Sequence, residues 1–237
     1  MELKIGIVGY GIVGRSTGQA LAAKGYDVES VDKNPEKEQW QEILDADFVM
    51  VCTPEQVVPE IIEKLAEDNC KGVIVVRSTV PPGVCKKLGK KYNRVILHNP
   101  EFLRENYAFT DTLNPRFIVV GGPISAERAA LCVVWMQFGP VFPMSSNESE
   151  LFKLWSNAKL ACNISFANEM LRIAEAYGAN GQLINNLLSE NPLYRNHPWQ
   201  IGRAYGGRCL PKDIKQLLAL YPESVLLKAV EQVNAEM

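Results

Sequence analysis

The chain has 237 residues and a formal net charge of −2, with 25 basic and 27 acidic side chains interspersed. Its 47 % apolar content is that of an ordinary globular protein, and neither composition nor charge suggests a nucleic-acid or membrane surface. No apolar run approaches the roughly 18 residues that would cross a bilayer. The start, Met1-Glu2-Leu3-Lys4-Ile5-Gly6, leads straight into a strand without a signal-peptide pattern. Cysteines at 52, 70, 85, 132, 162 and 209 lack paired spacing, so they are expected to be reduced thiols of a cytoplasmic protein. Two histidines and no Cys-x-x-Cys pair give a metal site little support, and none is expected.

Lys4 to Val8 reads as a short apolar strand, followed by Gly9-Tyr10-Gly11-Ile12-Val13-Gly14 and a helical pattern that runs to Ala23 and closes at Gly25. Asp27 to Val31 is the second strand, and Asp32 ends it. In this context Gly9 permits a tight turn, Gly11 lets the backbone approach a pyrophosphate, and Gly14 allows close helix–strand packing. The helix N-terminus favours the phosphates. Asp32, 18 residues beyond Gly14, stands near the spacing of the acid that binds an adenosine ribose. Its charge disfavours a 2′-phosphate, so NAD is expected over NADP. A turn residue before Asn34-Pro35 is the other reading of Asp32.

The alternation continues with strands at Asp47 to Cys52, Gly72 to Val76 and Arg94 to Leu97, and helices at Gln56 to Ala66 and Cys85 to Tyr92. Strands alternating with helices predict a doubly wound parallel sheet of the Rossmann type. Right-handed crossovers would then place all strand C-terminal ends on one ligand-binding edge. Thr53 and Ser78-Thr79 fall at such ends. Thr53 reads equally well as a helix cap, whereas a site role is favoured for Thr79. After the fifth strand comes His98-Asn99-Pro100-Glu101-Phe102-Leu103-Arg104-Glu105-Asn106. Glu101 and Glu105 suit a general base and a positioning acid, or simply a solvated acidic turn. A sixth strand is expected at Phe117 to Val120, a helix at Ala126 to Phe138 and an edge strand at Pro140 to Met144.

Near residue 145 the pattern changes from alternation to helix only, which divides the chain into a dinucleotide domain, 1–145, and an all-helical domain, 146–237. A long helix is expected from Asn147 to Gly178, with Leu151, Leu154, Trp155, Ala158, Cys162, Phe166 and Met170 as a broad apolar stripe. Lys153 and Asn157, four apart, bring an ammonium and an amide to one helix face. They suit a small oxygen-bearing ligand, or form an ordinary polar face. Shorter helices follow near Gly181–Leu188, Lys212–Leu220 and Glu223–Ala235, with a loop from Glu190 to Arg208. Gly206-Gly207-Arg208-Cys209-Leu210-Pro211-Lys212-Asp213 combines a tight glycine turn with a cysteine. Cys209 is either an ordinary core thiol or, near a cation, a nucleophile.

Taken together, these pieces resemble the UDP-glucose/GDP-mannose dehydrogenase family, the nucleotide-sugar 6-dehydrogenases. The resemblance is carried by Gly9–Gly14 with Asp32; Thr53-Pro54; Ser78 to Gly83; Asn99 to Glu105; Glu150-x-x-Lys153-x-x-x-Asn157; Asn168-Glu169; and Gly206 to Asp213. It covers nearly the whole chain. It implies a four-electron oxidation of a sugar CH2OH to a carboxylate with two NAD. Cys209 would attack the intermediate aldehyde, and hydride loss from the thiohemiacetal would give a thioester for hydrolysis. Lys153 and Asn157 would stabilise the oxyanion, and Asp213 would position water. Glu105 would move a proton, and Glu101 and Thr79 would hold the water network. The expected cofactor contacts are Gly9, Gly11, Ile12, Val13, Gly14, Asp32, Lys33, Thr53, Thr79 and Glu105. The expected substrate contacts are Phe102, Leu103, Arg104, Lys153, Asn157, Tyr205 and Gly206.

The implied partners are a nucleotide sugar, UDP-glucose by default, and a second copy of the chain in a homodimer. Ala204, Arg208 and Leu210 depart from the family's usual glycine, serine and phenylalanine. The chain stops at Met237, about where the central helices should end, so the family's third, nucleotide-holding domain is expected to be absent. Two other functions remain open. One is a two-electron β-hydroxyacid-type dehydrogenase, which needs no cysteine. The other is a non-catalytic NAD-binding module that requires a partner domain.

Overall fold

The computed structural model describes residues 3–190 and 202–237; the part of the expected 190–208 loop at 191–201 lies outside the described residues. Contact density divides the chain into two compact units, Met1–Lys153 and Leu154–Met237.

The first unit contains strands β1 (Lys4–Val8), β2 (Asp27–Val31), β3 (Phe48–Val51), β4 (Val73–Val76), β5 (Ile96–His98), β6 (Ile118–Gly121) and β7 (Val141–Met144). Its helices are α1 (Ile12–Ala23), α2 (Lys37–Leu44), α3 (Val58–Glu67), α4 (Val84–Tyr92), α5 (Ala108–Leu113) and α6 (Ala126–Met136). The sheet order is β2-β1-β3-β4-β5-β6-β7. The inner strands β1 and β3 to β6 are short and buried on both faces, which explains their near-continuous Val and Ile runs. One face packs Val49, Val51, Ile74 and Val76 on Ile43, Ile62 and Leu65, and the other packs Ile5, Ile7, Met50 and Val75 with Leu21, Leu131 and Trp135.

The seven expected strands are present, but their directions differ from expectation at one point. Strands β1 to β5 are parallel, whereas β6 pairs with β5 antiparallel through His98 and Gly121, and β7 follows β6 in parallel. The strand C-terminal ends therefore do not all share one edge. The cause is the 99–117 connection. It holds only a three-residue 3-10 turn and the six-residue α5, with no helix long enough to carry the chain back across the sheet. Helices α2 and α5 were not expected. Each presents too few apolar residues for a helical period to stand out.

The remaining helices are α7 (Ser146–Ala176), α8 (Gly181–Glu190), α9 (Leu210–Leu220) and α10 (Val225–Ala235). The division between the units falls inside α7. The expected stripe of α7 splits into two faces. Leu154, Ala158 and Ala161 are buried with Tyr205, Ile214, Leu217, Leu227 and Val230, whereas Trp155 is half exposed. Residues one position apart sit about 100° apart around a helix, so a wide stripe read along the sequence merges two neighbouring faces.

Candidate active site

In the first unit, the crossovers from β1 change direction between β1 and β3, and such a switch point opens a crevice at the strand ends. Gly9 lies there with φ +94°, its N–H bonded to the Val31 carbonyl oxygen at 2.9 Å. A Cβ on Gly9 would stand 2.8 Å from the Cys52 carbonyl oxygen, and one on Gly14 would collide with the Gly9 carbonyl. Gly11 differs: nothing lies within 4 Å of where its Cβ would be. The two outer glycines thus close the turn, and the middle one leaves space outside it. Helix α1 starts at Gly11 with no side-chain cap and no acid in its first turn. Its first N–H groups are free to bind an anion. Ile12 is exposed and Val13 half-buried beside them.

The surrounding groups fit a dinucleotide. Exposed Asp32 follows β2 and accepts the Lys33 N–H through only one oxygen, at 3.0 Å, and Lys33 is itself exposed. The Thr53 hydroxyl is buried and has no partner among the described residues. Ser78 Oγ donates to the Thr53 carbonyl at 2.6 Å, tying the loops after β3 and β4 together, and Thr79 sits half-buried next to it. Sequence reasoning did not single out Arg15, whose guanidinium lies 5.6 Å from the Tyr10 ring within this turn.

A second cluster forms where the 99–105 loop meets the first turns of α7. Lys153 Nζ pairs with Glu101 Oε1 at 2.9 Å and donates to the Glu101 carbonyl at 2.7 Å. Glu101 Oε2 accepts the Leu103 N–H at 3.0 Å. Burial opposes ionisation of Glu101, but Lys153, the Leu103 N–H and Arg77 outweigh it and hold the carboxyl below its ordinary range. Glu101 is therefore a fixed anion, a weaker base than the sequence suggested. Phe102 packs against Phe117 and Phe152, with centroids 5.0 and 5.5 Å away, and Lys153 Nζ lies 5.2 Å from its ring. Arg104 is bidentate to Asp111, at 2.9 and 2.7 Å, and stacks on Tyr107. Its guanidinium thus folds back on its own loop. Glu105 is exposed at the start of the 3-10 turn, and none of these contacts involves it.

Beneath this loop, Arg77 is buried, bonded to Asn99 and 4.8 Å from the Trp135 ring. Asn99 Nδ2 donates to the Val119 carbonyl at 2.7 Å, anchoring the loop to β6. His98, fully buried, meets Ser149 Oγ at 2.7 Å and the Ser78 carbonyl at 3.3 Å. Burial pulls its pKa down to about 3, so it stays neutral. These buried partners were invisible in the sequence, because each is separated from its neighbour by at least twenty residues.

The second unit organises the cysteine loop. Asn168 grips the chain on both sides: its Oδ1 accepts the Gly202 N–H and its Nδ2 donates to the Arg203 carbonyl, both at 2.7 Å. Asn234 does the same at Tyr205, accepting its N–H at 2.6 Å and donating to its carbonyl at 3.1 Å. Tyr205 is buried, and Gly206 and Arg208 are exposed. Gly207 turns the chain at φ +76°, and exposed Cys209 occupies the N-cap of α9. One turn on, fully buried Asp213 accepts from Asn157 Nδ2 at 2.6 Å and pairs with Lys212 at 2.6 Å. Cys209 is thus a surface thiol at a helix start, and all six cysteines stand without a disulfide among the described residues. Of the expected residues, the structure brings together Lys153 with Glu101 and Asn157 with Asp213. No group of three or more His, Cys, Asp or Glu among the described residues is arranged to hold a metal, and no described helix is long and apolar enough to cross a membrane.

Comparison with known proteins gives two family matches: the UDP-glucose/GDP-mannose dehydrogenase NAD binding domain over residues 38–139 and the central domain of the same family over 147–236. A UDP-glucose 6-dehydrogenase from Streptococcus pneumoniae is 31% identical over 98% of this chain and 73% of its own length. Against curated relatives, the chain spans from 30% to 73% of their length, about half for a UDP-glucose 6-dehydrogenase from Campylobacter jejuni. Among solved structures, a UDP-glucose dehydrogenase from Pyrobaculum islandicum superposes with a TM-score of 0.89 at 23% identity, covering 100% of this chain and 68% of that one. A 3-hydroxyisobutyrate dehydrogenase from Mycobacterium tuberculosis superposes with a TM-score of 0.77 at 17% identity, over 100% of this chain and 94% of that one.

Proposed function

The chain belongs to the UDP-glucose/GDP-mannose dehydrogenase family, and we propose on that premise that it is an NAD-dependent nucleotide-sugar 6-dehydrogenase with UDP-glucose as substrate. The observation that carries the reading is the exposed thiol of Cys209 at the first turn of α9, one turn from the Asn157–Asp213 pair. A two-electron alcohol oxidation needs no such thiol.

When bound, NAD accepts hydride; the chain's own side chains manage carbon, oxygen and protons. In this reading the open backbone around Gly11 takes the pyrophosphate, Asp32 the ribose, and Thr53 and Thr79 the remaining polar edge. The Cys209 thiol adds to the aldehyde carbon, forming a C–S bond and placing a proton on the carbonyl oxygen. Loss of hydride from its carbon and of the hydroxyl proton to Glu105 turns that thiohemiacetal into a thioester. Water then adds, the C–S bond breaks, and carboxylate and thiol are released. An ammonium has three N–H donors, and Glu101 takes two of those on Lys153, so one remains for the oxyanion. Asn157, with one amide N–H given to Asp213, keeps its second for an oxyanion. Proton transfer falls to exposed Glu105, because Glu101 is held as an anion. Asp213 positions water, Phe102 and Leu103 line the sugar with Arg104 at the rim, and Tyr205 and Gly206 complete the substrate contacts.

We include a homodimer in this proposal. Trp155 and Ile173 are exposed on α7 by 50 and 53 %, and Tyr177, just past it, by 86 %. Their spacing puts them on one helix face, the kind of surface a second copy covers.

The 3-hydroxyisobutyrate dehydrogenase likeness shows that this fold over nearly its whole length also occurs in a protein named for a simpler oxidation, which keeps a two-electron reading as the second one. The deciding experiment counts NADH formed per molecule of limiting UDP-glucose with NAD in excess. Two NADH are expected. One would favour the two-electron reading, and none with NADH binding intact would favour a binding module.

A further inference from the structure

The second turn of α7 carries a carboxylate for which the proposed chemistry has no use. Glu150 is fully buried. Its Oε2 accepts the Gly83 N–H at 2.6 Å, and its Oε1 accepts the Cys85 N–H at 2.9 Å. Both amides belong to the start of α4, where Gly83 is the N-cap at φ 93°. Helix α4 has no side-chain cap of its own and no acid in its first turn, so its N-terminal N–H groups are satisfied from α7 instead. Burial raises the pKa of Glu150 above its ordinary value, and the two N–H bonds act against that shift. A well-packed apolar side chain would often serve stability as well.

The neighbouring residue holds the other end of the same segment. Ser149 Oγ meets His98, and His98 meets the Ser78 carbonyl. Ser149 can approach only because Gly121 has no Cβ, which would overlap its hydroxyl. Residue 78 is thus tied through Ser149, and residues 83 and 85 through Glu150. Thr79 lies between those ties, and Lys153 follows Glu150 by three residues on the same helix.

We propose that Glu150 is a positioning residue: it fixes the 78–85 segment against α7, so that Thr79 and Lys153 are presented in one frame at the cofactor edge. The cofactor-edge role rests on the NAD reading given above.

The test is Glu150→Gln. The amide keeps the volume but can accept only one of the two N–H groups, and its NH2 faces the other. Ser125→Ala serves as the matched control. It removes the cap of α6, where Ser125 Oγ accepts the Arg128 N–H, away from this cluster. NADH affinity, followed by fluorescence, is expected to weaken about tenfold in Glu150→Gln and to stay unchanged in Ser125→Ala, with amide exchange accelerated at Gly83 and Cys85. Equal NADH affinity in the two variants, or unchanged exchange at those amides, overturns the proposal. If Glu150→Gln does not fold, Ser149→Ala releases the residue-78 end and should weaken NADH about threefold, and no change there overturns the proposal equally. Failure of the wild-type chain to bind NADH would sink the NAD reading, and the exchange data would still decide whether Glu150 holds the segment.

Discussion

The two loops expected to carry the chemistry are built by opposite means. The Gly9–Gly14 turn is shaped by what its residues lack: two missing Cβ atoms let β1, β3 and α1 close on one another. The cysteine loop is shaped by what distant residues supply. Asn168 and Asn234 each hold it through a backbone N–H and a carbonyl, and a Cβ on Gly206 or Gly207 would meet nothing within 4 Å. The first construction is steric and local; the second is polar and long-range. At Gly9 and Gly14 an added atom has no room, whereas at Gly206 it has room, and at Gly207 only the φ of +76° resists it.

The largest effect should come from adding an atom to the first loop. Gly14→Ala drives a Cβ into the Gly9 carbonyl, which neither strand nor helix can yield easily. We expect a loss of about 3 kcal/mol of stability in the first unit and no measurable NADH binding, checked by denaturant unfolding and fluorescence titration. Gly11→Ala sharpens the point. It meets no protein atom, so unfolding should be unchanged while NADH binding weakens roughly tenfold. Equal unfolding losses in both variants would break the assignment of closing glycines and an open one.

Removing a clamp should come next. Asn234→Ala strips partners from the Tyr205 N–H and carbonyl and should cost about 2 kcal/mol, with Asn168→Ala similar. Both should alter the alkylation rate of Cys209 by iodoacetamide while leaving NADH affinity unchanged. An unaltered thiol rate would show that the clamps do not set the cysteine loop.

The smallest effect is a pH dependence confined to the first unit. His98 has a folded pKa of about 3 against an ordinary 6.5, with burial the main cause. The unfolded chain therefore takes up a proton below pH 6.5 that the folded chain refuses. Stability is full above that pH and falls as pH drops, approaching about 1.4 kcal/mol per unit well below 6.5. His98→Gln should flatten the unfolding free energy between pH 6.5 and 5, before most carboxylates titrate. An unchanged slope would mean that His98 is protonated in the folded state.

The same contrast explains what could be read in advance. Gly9, Gly11 and Gly14 were legible because a tight turn between strand and helix constrains its own few residues, and Asp32 because its distance along the chain is fixed by one βαβ unit. Cys209 was legible as a nucleophile candidate only with its glycines and Asp213 around it, and its exposure came from the fold. Glu150 stood in the motif by which the family resemblance was made, yet its work at α4 could not be seen, since its partners are 65 and 67 residues away. Arg104 is a second such case: its sequence neighbourhood suggested a sugar contact, but not the bidentate bonds that its guanidinium makes with Asp111.

By itself, the sequence determined the strand–helix alternation, the phosphate-type turn, the change to an all-helical second half and the location of the thiol. Each depends on periodicity or on steric limits within a few residues. Only the tertiary structure decided that β6 runs against β5, which face of α7 is buried, and which side chains satisfy Gly83, Cys85, Gly202 and Tyr205. The physical reason is that a buried polar group must find a partner wherever the folded chain brings one, and a linear pattern holds no record of that meeting.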